Sequence, residues 1–199
     1  MRLHQPYCVY EGQFSADICD RIIELGENVP PMHGAVSNDP ENNLRDSVVA
    51  WIRQNEEHAW LYELISGFVR ETNELYWNWQ LSGPEPMQYT KYGPEQFYTW
   101  HRDQKREPYD AESRWPGQIR KISISIHLSD SDAYEGGEFA IENSQTSVDS
   151  LETRQKVLTE ARTRGSAIVF PSHLYHRVQP VTSGKRQSLV AWFLGPPFV

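Results

Sequence analysis

The stretch Lys121-Ile-Ser-Ile-Ser-Ile-His-Leu-Ser129 alternates strictly between aliphatic and polar side chains. Successive side chains of a β-strand point to opposite faces, so this period of two predicts a strand rather than a helix. One face would carry Ile122, Ile124, Ile126 and Leu128, and the other Ser123, Ser125, His127 and Ser129.

Short runs of the same kind surround this strand. The predicted strands are residues 47–52, 87–92, 97–103, 139–141 and 167–170. Residues 177–181 and 187–194 are expected to pair as a hairpin around Thr182-Ser183-Gly184, which would lay Arg186 beside His176. Many short strands with turns between them favour a β-sandwich or jelly roll over a parallel sheet.

The N-terminal part has a different, helical pattern. Ser15 is a good N-cap for a helix that runs to about residue 25, and Gly26 is a plausible stop. Residues 55–76 predict a second helix, whose apolar face would carry Leu61, Leu64, Ile65, Phe68, Leu75 and Tyr76. We expect one domain over residues 1–199, with a helical support region at 1–81 and a mainly β core at 84–197.

Composition limits the possible function. The chain has 199 residues and a net charge of −8, which is a poor match for a phosphate backbone and argues against a nucleic-acid partner. Two cysteines form no disulfide framework, and the first residues lack the apolar run of a signal peptide. No stretch approaches the roughly 20 apolar residues of a membrane helix. We expect a cytoplasmic protein with no membrane partner, and no feature indicates its oligomeric state.

Histidines and one aspartate suggest a metal site. His101 and Asp103 are two residues apart, so on a strand both would face one point. Alone this pair is weak, since a surface ion pair gives the same pattern. His173 and His176 follow an apolar strand, and either could complete a site of two histidines and one carboxylate, the ligand set of non-haem iron(II) oxygenases.

Arg186 lies ten residues beyond His176, and this spacing favours His176 over His173 as the ligand. An iron at one end of a cavity and a guanidinium at the other would suit a small dicarboxylate, which pairs with arginine in a bidentate manner. Ser188, Val190 and Trp192 share the face of Arg186, whereas Lys185 has the opposite parity and is expected in solvent.

Three ordered motifs carry a family resemblance. They are Tyr92-Gly-Pro-Glu-Gln-Phe-Tyr98-Thr-Trp-His101-Arg-Asp103, Tyr134-Glu-Gly136-Gly137-Glu138, and His176-Arg-Val-Gln-Pro180-Val181-Thr182-Ser-Gly184-Lys-Arg186. Together they resemble the prolyl 4-hydroxylase-like Fe(II)/2-oxoglutarate dioxygenases over residues 84–197. The arginine at position 186 is similar to the anchor of the bacterial PKHD-type hydroxylases.

The resemblance implies a double-stranded β-helix, or jelly roll, and a set of site residues. His101, Asp103 and His176 would bind Fe(II), and no other catalytic residue is implied. The implied cosubstrate-binding residues are Arg186 and Tyr98 at the distal carboxylate, Tyr92 and Trp192 in the pocket wall, and Ser123 and His127 on the facing strand. His127 departs from the family, whose members often carry Tyr there.

The implied activity is hydroxylation of an unactivated C–H bond, with Fe(II), 2-oxoglutarate and O₂ as cofactor and cosubstrates and with ascorbate keeping iron reduced. The resemblance favours a prolyl residue in a protein or peptide as substrate. Two alternatives stay open: a free amino acid or other small molecule, and a non-catalytic module that senses iron or oxygen. Loops 104–118 and 142–164 flank the motif strands and are expected to act as lids.

Overall fold

The protein forms a sandwich of antiparallel sheets in a computed structural model that describes residues 5–34, 44–143 and 150–198. In chain order the elements are β1 (Cys8–Tyr10), α1 (Ala16–Asn28), β2 (Met32–His33), β3 (Arg45–Asp46), β4 (Val48–Ile52), α2 (Ala59–Tyr76), β5 (Gly83–Pro84), β6 (Met87–Tyr92), β7 (Phe97–His101), β8 (Ile119–His127), β9 (Tyr134–Gly136), β10 (Phe139–Glu142), β11 (Gln155–Val157), a 3-10 helix (Thr159–Arg162), β12 (Ala167–Pro171), β13 (His176–Val178), β14 (Val181–Gly184) and β15 (Arg186–Gly195).

Two sheets enclose the interior. The larger has the order β1-β12-β8-β15-β6-β4-β2, with β5 also paired to β15, and the smaller has the order β11-β10-β13-β7-β3. β14 and β9 form a separate two-stranded sheet. The mainly β jelly-roll architecture with flanking helices that the strand pattern predicts is therefore confirmed.

The alternation of β8 divides two environments. Ile122, Ile124 and Ile126 belong to the main hydrophobic core, which also contains buried residues of α1 and α2, so both helices cover the outer face of the large sheet. The polar face of β8 points into the space between the two sheets, where Ser123 lies beside Asp103. A sheet buried on both faces thus keeps its inner face polar because that face lines a site.

Helix α1 begins as predicted but ends later. The Ser15 hydroxyl accepts a hydrogen bond from the Ile18 amide, so the N-cap is confirmed. Gly26 as a helix stop is wrong, since α1 continues to Asn28. A Cβ on Gly26 would collide with the ring of Tyr89, so glycine serves close packing of the helix on the sheet instead of ending it.

The predicted apolar face of α2 is wrong in its last turn. Leu75 is 67 % exposed and Tyr76 is 43 % exposed, whereas the buried positions nearby are Thr72 and Asn73. The Asn73 side chain exchanges hydrogen bonds with the backbone of Trp79, at 2.8 and 3.0 Å. The final turn therefore buries a polar group that fixes the chain leaving the helix.

The predicted hairpin of residues 177–181 and 187–194 is also wrong. β13 pairs with β7 and β10 in the small sheet, β15 pairs with β6 and β8 in the large sheet, and β14 between them pairs with β9. The chain therefore crosses from one sheet to the other between His176 and Arg186. These two residues do not lie side by side; they line one pocket from opposite sheets.

Other parts of the chain differ in detail. Strands β1 to β4 show that residues 1–81 contribute to both sheets as well as both helices; the division into regions 1–81 and 84–197 stays a prediction. Within 104–118 the chain is loop as expected, and within 142–164 it forms β11 and the 3-10 helix, with residues 144–149 outside the described residues. No described helix has the length and apolar character needed to cross a membrane.

Candidate active site

The side chains of His101, Asp103 and His176 converge between the two sheets. Their potential ligand atoms all lie within 4.8 Å of one another. Oδ1 of Asp103 is 3.8 Å from Nε2 of His101, and Oδ2 is 3.5 Å from Nε2 of His176. His101 ends β7 and pairs directly with His176 at the start of β13, whereas Asp103 follows the strand in a bend. The predicted strand is thus two residues shorter, and the bend turns the carboxylate toward both rings.

Backbone contacts orient both imidazoles. Nδ1 of His101 is 2.8 Å from the Thr99 carbonyl oxygen, and Nδ1 of His176 is 3.1 Å from that of Leu174. A carbonyl only accepts hydrogen bonds, so each ring donates from Nδ1 and leaves the lone pair of Nε2 free. Both free nitrogens face the Asp103 carboxylate, which is the tautomer that a metal ligand needs.

Protonation also favours metal binding. Burial, reinforced by neighbouring His176, holds the pKa of His101 well below its ordinary value. Burial works against ionisation of Asp103, but His176, His101 and Arg120 outweigh it and keep the pKa of Asp103 below the usual carboxyl value. Two imidazole nitrogens and one carboxylate oxygen are the donor set of a non-haem iron(II) centre with open positions.

Packing holds the triad in place. The Ser123 hydroxyl donates to Oδ2 of Asp103 at 2.7 Å and lies 2.8 Å from the hydroxyl of Ser172. The Tyr98 ring stacks on His101 with a centroid distance of 3.4 Å, and Phe170 packs edge-on against His176 at 4.6 Å. His173 lies outside the triad, with its ring 6.4 Å from that of Phe198.

Arg186 lines the same pocket from the large sheet. Its side chain is 3 % exposed, and Nη1 donates to the Ser188 hydroxyl at 3.3 Å. Among the described residues, Nε has no hydrogen-bond partner and no carboxylate lies within ion-pair distance of the guanidinium. The guanidinium lies 5.5 Å from the Tyr92 ring centroid. A buried guanidinium without a counter-charge is costly, so this arrangement fits an anionic ligand.

The other predicted pocket residues have distinct environments. Tyr92, Tyr98 and Trp192 line the pocket that contains the triad and Arg186. Nε1 of Trp192 is buried with no hydrogen-bond partner in the described part of the chain. Burial raises the pKa of Tyr98, so its hydroxyl stays a donor. The Ser123 hydroxyl is engaged by Asp103, whereas Ser125, two residues on, lines the pocket.

His127 faces a second cavity of about 260 Å³ that meets the first at Ser125, Phe139 and Arg186. Its Nε2 lies 3.2 Å from the Tyr134 hydroxyl. Burial, together with the charges of Arg186 and Arg162, holds the pKa of His127 well below 6.5, so the ring is neutral beside the guanidinium.

Several pocket residues have no signal in the sequence motifs. Arg45 on β3, together with Gln88 and Thr90 on β6, also lines the pocket. Arg45 precedes the first motif by more than forty residues and comes into the site only because β3 pairs with β7, Arg45 opposite Tyr98. The even spacing of Gln88, Thr90 and Tyr92 could have indicated that they share one face.

A buried ion pair supports the triad from outside. Arg120 donates from Nε and Nη2 to the two oxygens of Glu85, at 2.9 and 2.6 Å, and lies over the Trp192 ring at 4.0 Å. The Tyr109 hydroxyl donates to the same carboxylate at 2.6 Å, and burial with this contact raises the pKa of Tyr109 to about 12. The loop 104–118 is thereby tied to the pocket wall.

Comparison with known proteins agrees with this geometry. The model of the 2OG-Fe(II) oxygenase superfamily matches residues 87–194, more than half of the chain. A PKHD-type hydroxylase of Alteromonas mediterranea is 34 % identical over 110 residues, which are 54 % of this chain and 42 % of that protein. The chain spans less than half the length of the curated relatives it matches.

Solved structures share the fold at low identity. The viral collagen prolyl hydroxylase of Paramecium bursaria Chlorella virus-1 superposes with a TM-score of 0.68 at 21 % identity, covering 96 % of this chain and 97 % of that chain. The prolyl hydroxylase of Trichoplax adhaerens, in complex with a hypoxia inducible factor peptide fragment, gives 0.70 at 14 % identity, covering 96 % and 84 %. The converging triad, the jelly roll and the match over residues 87–194 have one explanation: this chain belongs to the 2OG-Fe(II) oxygenase superfamily and is similar to its prolyl 4-hydroxylase-like and PKHD-type members.

Proposed function

We propose that the protein is an Fe(II)- and 2-oxoglutarate-dependent dioxygenase that hydroxylates an unactivated C–H bond of a prolyl residue in a protein or peptide. The observation that carries the proposal is the pairing of two features in one pocket: a ligand-competent triad and an unpaired, buried Arg186. A simple metal-binding module needs the first feature but not the second.

His101, Asp103 and His176 would hold the iron through Nε2, a carboxylate oxygen and Nε2. Bound Fe(II) supplies the redox chemistry that activates O₂ and oxidises a C–H bond. Three protein ligands leave positions for a chelating cosubstrate and O₂. In the overall reaction O₂ and 2-oxoglutarate are consumed, one oxygen atom enters the product hydroxyl, the other enters succinate, and CO₂ leaves.

Arg186 would receive the distal carboxylate of 2-oxoglutarate, with its partnerless Nε among the donors. The neutral His127 and the hydroxyl donor Tyr98 add no negative charge that would compete for the guanidinium. Tyr92, under the guanidinium, restricts its movement. A pre-positioned anchor of this kind fixes the cosubstrate in register with the metal ligands.

The prolyl substrate is supported by relatives. The structural neighbours include a viral collagen prolyl hydroxylase and a prolyl hydroxylase in complex with a hypoxia inducible factor peptide fragment. Ascorbate as a reductant remains a prediction of the family resemblance, and a cytoplasmic location remains a prediction of the sequence composition.

The test measures turnover and binding separately. Purified protein with Fe(II), 2-oxoglutarate and O₂ should form succinate, and a proline-containing peptide library should yield a product heavier by one oxygen atom. Tight iron binding without 2-oxoglutarate binding or succinate formation would favour the sensing module instead.

The anchor has a matched control in the neighbouring residue. Arg186→Gln should weaken 2-oxoglutarate binding by about 10- to 100-fold, the range expected for lost charged hydrogen bonds, while metal affinity is retained. Lys185→Gln removes the same charge from an exposed side chain and should not change 2-oxoglutarate affinity. Equal 2-oxoglutarate affinities in the two variants would contradict the role of Arg186.

A further inference from the structure

A second arginine in the pocket, Arg45, also has no counter-charge among the residues that the structure describes. Its side chain is only 6 % exposed, and it lines the cavity that contains the triad. Its partners are neutral: Nε donates to the Ser47 hydroxyl and Nη2 to Oε1 of Gln88, both at 2.7 Å. None of the ion pairs of the described residues includes Arg45.

Arg45 lies close to the place where chemistry would occur. Its guanidinium lies 4.7 Å from the Tyr98 ring centroid, and that ring stacks on the ligand His101 at 3.4 Å. One aromatic ring therefore separates the charge from the triad. A ligand in the pocket that contacts the Arg45 guanidinium would therefore lie within about one side-chain length of the position of the metal.

With iron and 2-oxoglutarate bound, Arg45 would be the pocket residue whose charge is not balanced. Arg120 is already neutralised by its two hydrogen bonds to Glu85. Bound Fe(II) and Arg186 would be balanced by Asp103 and the two carboxylates of 2-oxoglutarate. Among the described residues that line the pocket, one positive charge, that of Arg45, is then left in a buried site, where an uncompensated charge is strongly unfavourable.

We propose that the prime substrate carries a carboxylate that binds Arg45, so that Arg45 and its neighbour Gln88 determine specificity for an acidic substrate. This inference rests on the proposed function and names the substrate class for the same site. Within a protein or peptide it selects a C-terminal prolyl residue over an internal one flanked by neutral amides, and among the alternative substrates it selects a free or N-acylated amino acid.

The experiment compares matched acids and amides. The protein is loaded with Mn(II) and 2-oxoglutarate, and thermal shift and calorimetry measure binding of N-acetyl amino acids and of their amides, proline included. At least one acid should bind about tenfold or more tightly than its amide, as expected for a charge-assisted hydrogen bond. The protein carries a net charge of −8, so non-specific attraction would not produce this preference.

Gln88→Glu is the decisive variant because it places a carboxylate on Arg45 without removing a side chain. It should reduce the preference for the acid to less than about threefold, as should Arg45→Gln. Gln155→Glu is the matched control, because Gln155 also accepts from an arginine, Arg177, at 2.9 Å, but outside the pocket. This control should keep the full preference.

The experiment distinguishes a failure of the proposed function from a failure of the carboxylate site alone. If the wild-type protein does not bind 2-oxoglutarate, the proposed function itself fails. If 2-oxoglutarate binds but no acid in the panel exceeds its amide, or if Gln88→Glu keeps the preference, only the carboxylate site is overturned.

Discussion

The Ser123 hydroxyl donates a 2.7 Å hydrogen bond to Oδ2 of Asp103, across the gap between the two sheets. Asp103 follows a strand of the small sheet, whereas Ser123 lies in the middle of β8 in the large sheet. The same hydroxyl is 2.8 Å from that of Ser172. A carboxylate held in this way keeps Oδ1 toward His101 and Oδ2 toward His176 in one orientation.

Ser123→Ala should therefore weaken metal binding by about 10- to 100-fold, the usual effect of losing a group that orients a ligand. Calorimetric titration with Mn(II) measures this affinity. Ser125→Ala is the control, since Ser125 lies two residues along the same face and lines the pocket without contacting Asp103 through a described hydrogen bond. Equal losses in both variants would mean that the hydroxyl of Ser123 does not orient the carboxylate.

Gly137→Ala should weaken 2-oxoglutarate binding. A Cβ at this position would lie 2.9 Å from Cδ of Arg186 and 3.0 Å from Cγ2 of Val181, so the anchor side chain must shift. Gly117 has a similar positive φ, +70° against +65°, but nothing lies within 4 Å of its Cβ position. Both substitutions should destabilise the fold by about 1 kcal/mol through backbone strain. Only Gly137→Ala should raise the 2-oxoglutarate dissociation constant; an equal effect of Gly117→Ala would contradict this.

Glu85→Gln should lower the free energy of unfolding by about 3–5 kcal/mol, because it leaves the Arg120 charge buried without a partner. The two side chains are 5 % and 17 % exposed and 2.6 Å apart. Urea denaturation measures the change. The double variant Glu85→Met/Arg120→Met should recover much of the loss, since it removes both charges.

The control for this ion pair is Glu152→Gln. Glu152 pairs with Arg177 at 3.0 Å but is 59 % exposed, so its loss should cost less than about 1 kcal/mol. If Glu85→Gln lowered the free energy of unfolding by as little as Glu152→Gln, the Arg120–Glu85 pair would contribute no more than an exposed ion pair.

Much of the fold followed from the sequence because the strands carry strong local patterns. The alternation over residues 121–129 depends only on side-chain parity along one strand, and the motif spacing was enough to select His101, Asp103, His176 and Arg186, although a bend at Asp103 and the crossing between sheets bring them together. The hairpin failed because pairing partners are not a local property. Residues 177–194 contain a turn signal, but β13 and β15 each find better partners in different sheets.

Arg45 and the Glu85–Arg120 pair were missed for a related reason. Both depend on contacts between residues far apart in the chain, 43 residues for Arg45 with Gln88 and 35 for Arg120 with Glu85. A buried charge has no periodicity that would distinguish it from an exposed one. Gly26 shows the same limit of sequence-based prediction. The sequence alone does not distinguish a glycine that ends a helix from a glycine that permits close packing.

The stability of the apoprotein should fall as the pH drops below about 6.5, in part because of His127. Burial, then the charges of Arg186 and Arg162, holds the pKa of His127 well below 6.5 in the folded state, whereas the unfolded imidazole titrates near 6.5. Below that pH the unfolded chain binds the additional proton, so the contribution of His127 is complete above pH 6.5 and is lost toward its folded pKa.

His127→Gln should make the dependence of the unfolding free energy on pH shallower between pH 6.5 and 5, by up to about 1.4 kcal/mol per pH unit. His101 titrates in the same direction and stays in the variant, so the pH dependence should become weaker without vanishing. Urea denaturation at a series of pH values measures both curves. Parallel curves for the variant and the wild type would mean that the folded protein accommodates a charged imidazole beside Arg186, in conflict with a ring kept neutral there.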